Sequence, residues 1–81
     1  ISCAQVVGGG NPGNVCTGTE TNKWKSVAAC ACGLDGPGQC NAECKSSTCI
    51  LEGPPLTPDA ACKTCMKTKC VTAYNNCVPP P

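Results

Sequence analysis

Residues 57–77 read Thr-Pro-Asp-Ala-Ala-Cys-Lys-Thr-Cys-Met-Lys-Thr-Lys-Cys-Val-Thr-Ala-Tyr-Asn-Asn-Cys, and this stretch decides the fold class. Thr57 suits an N-cap, Pro58 the first helical position, and Asp59 the positive end of a helix dipole. The pattern predicts a helix from Pro58 to about Asn76. At about 100° per residue, Cys62, Cys65, Met66, Lys69, Cys70, Ala73 and Cys77 fall on one broad face. Thr64, Thr68, Val71 and Asn75 fall on the other. The inner face of such a helix is largely sulfur, so what the cysteines bond to governs the rest of the fold.

Towards the N-terminus, Gly53-Pro54-Pro55 breaks the chain. Before it, residues 39–48 read as a short helix with Cys40 and Cys44 one turn apart on one face. Gly33 to Gly38 is a tight connector. Residues 21–32 form a further helix, capped by Thr19 or Thr21, with Trp24, Val27, Ala28 and Ala31 at helical spacing and Gly33 as its stop. Trp24 is the main apolar anchor of that helix; a surface binding role is the alternative. Gly8 to Asn14 is turn chemistry, without the strand and helix context of a phosphate-cradling loop. Ile1 to Val7 has β-propensity and no charged side chain, and reads as an extended arm that could add to a neighbouring chain. Pro79-Pro80-Pro81 leaves in polyproline conformation. The expected fold is one small, disulfide-rich, mainly α domain: a loop or arm over 1–20, a stapled helical core with an antiparallel helical hairpin over 21–77, and a Pro-rich tail over 78–81.

Eleven of the 81 residues are Cys, and Phe is absent. A chain this short buries only about 60% of its unfolded surface, and a thin core calls for staples. Disulfides at this density place the chain in an oxidising compartment, secreted or at a cell surface. With no signal peptide visible, the chain reads as a mature form or a fragment. In an antiparallel helix pair, two residues meet when the sum of their numbers stays nearly constant. That rule predicts Cys40–Cys70 and Cys44–Cys65, and adds Cys49–Cys62 if the second helix unwinds near Ser46-Ser47-Thr48. Cys32–Cys77 fits the same sum, although helical register does not carry through the Gly33–Gly38 connector. Cys3, Cys16 and Cys30 remain as unpaired or intermolecular candidates, with Cys3 the best placed to reach outward. Five bridges from eleven cysteines allow roughly ten thousand pairings, so spacing alone leaves the connectivity open.

The segment Cys62-x2-Cys65-x4-Cys70-x6-Cys77, opened by Thr-Pro-Asp-Ala-Ala-Cys, resembles modules of cysteine-rich secreted proteins and lipoproteins of myxobacteria. Cys40-x3-Cys44-x4-Cys49 looks like a second, looser copy, so the resemblance covers residues 40–77. Those modules often carry a Cys-Cys pair where this chain has Cys70-Val71. The resemblance implies an envelope or extracellular role.

The residue inventory narrows the chemistry. With no His, the Ser-His-Asp and Cys-His constellations are absent. The acids Glu20, Asp35, Glu43, Glu52 and Asp59 are scattered, as suits solvated or capping roles. Cys62-Lys63-Thr64-Cys65 lacks the βαβ setting of a thioredoxin-like motif. Together with Cys30-Ala31-Cys32 it offers a thiolate metal site as a rival reading, but no cofactor is expected. Lys63, Lys67 and Lys69 form a solvated face, with a weak polyanion contact as the alternative. The net charge of +1 makes no electrostatic case for nucleic acid, and no apolar run reaches the length of a membrane span. The expectation is a non-enzymatic extracellular structural or interaction module whose partner is itself, as a homo-oligomer, or a larger assembly, with Trp24, Lys63 and Lys67 as interaction candidates. A secreted defence or effector peptide (toxin or inhibitor) is the alternative. Its only candidate inhibitory loop is Leu51-Glu52-Gly53-Pro54-Pro55-Leu56.

Overall fold

The computed structural model describes residues 1–15, 18–33, 38–53 and 55–79. Five helices follow in order: α1 (Cys3–Val7), α2 (Thr19–Cys32), α3 (Asn41–Cys44), α4 (Ala60–Lys69) and α5 (Val71–Cys77). A single 3-10 turn at Pro12–Asn14 lies between α1 and α2. No strand occurs among the described residues. The protein is thus a small, mainly helical, disulfide-rich fold, as the sequence predicts.

Helix α2 is the axis of the molecule and packs against α1, α3, α4 and α5. It turns Trp24, Val27 and Ala31 inward, all of them buried, which is the face read from the periodicity. It starts after Gly18 (φ 81°) and stops at Gly33 (φ 81°), two left-handed positions that suit glycine. Its last carbonyls are used by the chain that returns towards α3: Gln39 N–H donates to Cys30 O at 2.9 Å and Cys40 N–H to Ala31 O at 2.8 Å. Gly38 makes that return possible, because a Cβ there would lie 2.3 Å from Ala31 O.

The predicted helix over 58–76 is two helices. Cys70 takes φ −122°, ψ 41°, and so ends α4 and precedes α5. Its N–H still donates to Met66 O at 3.0 Å, and its O accepts from Tyr74 N–H at 2.8 Å, so the ladder bends without being lost. The kink lets α4 and α5 each reach α2. The cap is also displaced: Asp59, rather than Thr57, accepts from Cys62 N–H at 3.0 Å. The Thr57 hydroxyl donates instead to Val6 O, tying this end of the chain to α1. The helix predicted over 39–48 is regular only over Asn41–Cys44. Residues 45–49 form turns, so the chain does unwind near Ser46-Ser47-Thr48, the condition set for a Cys49–Cys62 bridge, but Cys49 pairs with Cys32 instead.

The N-terminal segment departs most from expectation. Residues 3–7 are helix α1, and Cys3, Val6 and Val7 are buried on one side of it. Ser2 and Gln5 form a reciprocal capping box: Gln5 N–H donates to Ser2 Oγ at 3.2 Å and Ser2 N–H to Gln5 Oε1 at 2.8 Å. This S-x-x-Q signal was present in the sequence and outweighs the β-propensity of the two valines.

Five disulfides hold these elements: Cys3–Cys77, Cys30–Cys70, Cys32–Cys49, Cys40–Cys65 and Cys44–Cys62. The predicted pairs Cys40–Cys70, Cys44–Cys65, Cys49–Cys62 and Cys32–Cys77 are therefore replaced. The antiparallel hairpin between α3 and α4 exists, but its rungs are slid by about one turn. The short α3 sets Cys40 opposite Cys65 and Cys44 opposite Cys62. Cys70, at the kink, faces α2 and meets Cys30. Cys3 and Cys30, two of the three candidates for an unpaired or intermolecular thiol, are both bridged within the chain. Cys16 lies outside the described residues. Among the described residues, cysteine supplies as many of the buried apolar side chains as all other types together, the largest of the others that are fully enclosed being Met66.

Candidate functional site

The described residues outside the core differ sharply in what they offer. Cys62 and Cys65, the C-x-x-C pair, are bridged to Cys44 and Cys40 and not to each other. Cys30 and Cys32 are bridged to Cys70 and Cys49. All four sulfurs of the rival thiolate site are thus used in four separate bridges. No cluster of three or more metal-ligating side chains occurs among the described residues.

The lysine face lies on α4. Lys67 is exposed, with Nζ 5.9 Å from the centroid of the Tyr74 ring, within cation–π range. Lys63 is half-buried and Lys69 exposed. Tyr74 itself is buried, and desolvation raises the pKa of its phenol above the ordinary value. Trp24 is 6% exposed and belongs to the core, but one side of it borders a groove of about 550 Å³ that also meets Ala28, Ile50, Leu51 and Pro55. The anchor reading of Trp24 and a contact role at the groove edge are therefore compatible.

The outer wall of that groove is the segment that follows α3. Leu51 is 98% exposed, and Glu52 and Gly53 are exposed beside it. The segment is fixed at both ends. On the N-terminal side, Cys49 is bridged to Cys32 at the end of α2, and Ile50 N–H donates to Ser47 O at 3.2 Å. On the C-terminal side, Leu56 N–H donates to Ser47 O at 3.4 Å, and the buried Thr48 hydroxyl donates to Leu56 O at 3.0 Å. Among the described residues, Ser47 and Thr48 are the two buried polar ones. Buried hydroxyls need partners, and both have one: Thr48 at Leu56 and Ser47 at the start of α4. Ser47 Oγ also accepts from Asp59 N–H at 3.5 Å, at the start of α4. An outer bridge, Cys44–Cys62, encloses the whole segment.

Sequence reasoning picked out the loop and Trp24 but missed Ser47 and Thr48, which it treated only as helix breakers. Their placement before an apolar, proline-containing loop was the available signal. No family model, curated protein or solved structure matches this chain.

Proposed function

We propose that the protein is a non-enzymatic extracellular interaction module that acts as a folded monomer and binds its partner through the braced loop beginning at Cys49. One observation carries this reading: a 98% exposed Leu51 stands on a segment fastened on one side by a disulfide and on the other by hydrogen bonds to Ser47 and Thr48. A lone exposed leucine is ordinary on a protein surface. Exposure on a loop held rigid from both sides is different, because the ordering cost of binding is met when the protein folds. The five disulfides support an oxidising, extracellular setting. Self-assembly through an N-terminal arm loses its basis, since Cys3 is bridged to Cys77 and Val6 and Val7 are buried.

The test is sedimentation of the oxidised chain without reductant over a wide concentration range. A monomer throughout is the expected result. A concentration-dependent or disulfide-linked oligomer would overturn this reading and favour a structural subunit.

A further inference from the structure

We infer that the loop is the reactive segment of a serine-endopeptidase inhibitor, with Leu51–Glu52 as the bond offered to the protease. This rests on the interaction-module reading above and names its partner class. An endopeptidase needs one side chain that can leave its own protein entirely and fill the primary specificity pocket, and Leu51 is 98% exposed. It also needs backbone on both sides of the bond free to pair in an extended fashion. Among the described residues, the backbone groups of Leu51, Glu52 and Gly53 make no hydrogen bond. A leucine selects a protease with an apolar pocket of chymotrypsin or subtilisin type, and disfavours a pocket that carries a carboxylate for Lys or Arg.

Exposure alone would make this bond a substrate; its fastening makes it inhibitory. In the acylation step, the protease serine oxygen bonds to the Leu51 carbonyl carbon and the Leu51–Glu52 C–N bond breaks. The serine proton passes through the protease's general base to the Glu52 nitrogen, leaving a Leu51 ester and a free amine. From an ordinary substrate the amine departs and water hydrolyses the ester. Here it cannot depart. Leu51 is two residues from the Cys32–Cys49 bridge, and the Glu52 side is held at Leu56 by Ser47 and Thr48. The Cys44–Cys62 bridge also joins the two halves covalently, since the bond lies within the ring that it closes. A tethered amine at high effective molarity re-forms the peptide faster than water removes the ester. The bond and proton inventory then returns to its start, and the protease stays occupied.

The experiment uses the full oxidised chain against chymotrypsin, subtilisin and trypsin, reading residual hydrolysis of a small chromogenic substrate. Inhibition of chymotrypsin or subtilisin near equimolar ratio is expected, with trypsin unaffected. Leu51→Lys should move inhibition to trypsin, and Leu51→Gly should weaken inhibition of the apolar-pocket enzyme about 100-fold or more, as for a hot-spot residue. Because Leu51 touches so little, both variants should keep the wild-type far-UV circular dichroism. Prolonged incubation should add the mass of one water at Leu51–Glu52, with the halves parting only on reduction. The inference is overturned if neither apolar-pocket enzyme is inhibited at tenfold excess, if Leu51→Gly inhibits as well as wild type, or if the chain is digested as an ordinary substrate. Failure here with a monomeric chain removes the protease as partner and leaves the interaction module standing; an oligomer in sedimentation removes the module reading itself.

Discussion

Two short apolar segments, residues 1–7 and the loop after Cys49, look alike in the sequence and end in opposite places. Both are poor in charge, both run into glycine, and both are tied to the rest of the chain by a cysteine, Cys3 within the first and Cys49 at the base of the second. Yet the first is buried, with Cys3 and Val6 at 0% exposure, while the second leaves Leu51 at 98%. The difference lies in geometry available to each backbone. Ser2 and Gln5 close a capping box, a helical turn forms, and helical spacing puts Cys3, Val6 and Val7 on one side. Once Cys3 is joined to Cys77, that side is pressed on the core. The loop carries the sequence Gly53-Pro54-Pro55, which breaks the interior of a helix. Its bridge at Cys49 secures the base and leaves the tip outward. A disulfide buries a segment only when that segment has an apolar face to follow it.

The contrast between these segments can be broken outright by reduction. Cysteine makes up half of the buried apolar core among the described residues, so full reduction should abolish most of the helical circular dichroism under native conditions. A reduced chain that kept its helices would show that the bridges merely decorate a core able to stand alone.

Next in size, Cys3→Ala with Cys77→Ala should remove about 4 kcal/mol in the chain-entropy view, given a separation of 74 residues. Amides of Val6 and Val7 should then exchange with solvent far faster than those of α4, making the first segment behave like the loop. Unchanged protection at Val6 would show that the capping box and Thr57 suffice to hold α1.

A smaller pair of changes sharpens the comparison directly. Val6→Ala should cost about 2 kcal/mol by lost burial and a cavity, whereas Leu51→Asp should stay within about 0.5 kcal/mol of wild type. Urea unfolding of the two variants measures both. Equal costs would mean that Leu51 is packed in solution, against the exposed loop described here.

The smallest effect concerns Glu20, which accepts from Cys3 N–H at 2.9 Å and pairs with Lys23 at 3.1 Å. The Cys3 amide first, then Lys23, holds its carboxyl below the usual range. A depressed folded pKa contributes stability that is present above the unfolded pKa and is lost as pH falls through the folded value. Glu20→Gln should therefore flatten the acid side of the stability profile slightly, seen as a smaller fall in thermal midpoint between about pH 5 and pH 2. An unchanged acid slope would assign that slope to other carboxylates.

What the sequence determined by itself is whatever follows from neighbours a few residues apart. Trp24, Val27 and Ala31 declared the inner face of α2 through their spacing, and Gly33 its end. The cysteine count against a scarcity of large apolar residues required a stapled fold, and Gly53-Pro54-Pro55 required a loop. The α4 face carrying Cys62, Cys65 and Met66 was equally legible. Tertiary structure alone decided which sulfurs meet. A disulfide needs two Cα atoms within about 4.4–6.8 Å, and that distance depends on how elements dock. The kink at Cys70, set by contact of both α4 and α5 with α2, moved Cys70 to Cys30 and slid the α3–α4 rungs by one turn. Helical periodicity is blind to such a displacement, because a one-turn slide returns every residue to the same face. The candidate site divides in the same way: the loop and its exposed leucine were written in local composition, whereas its fastening by Cys32, Ser47 and Thr48 exists only once α2, α3 and the start of α4 are brought together.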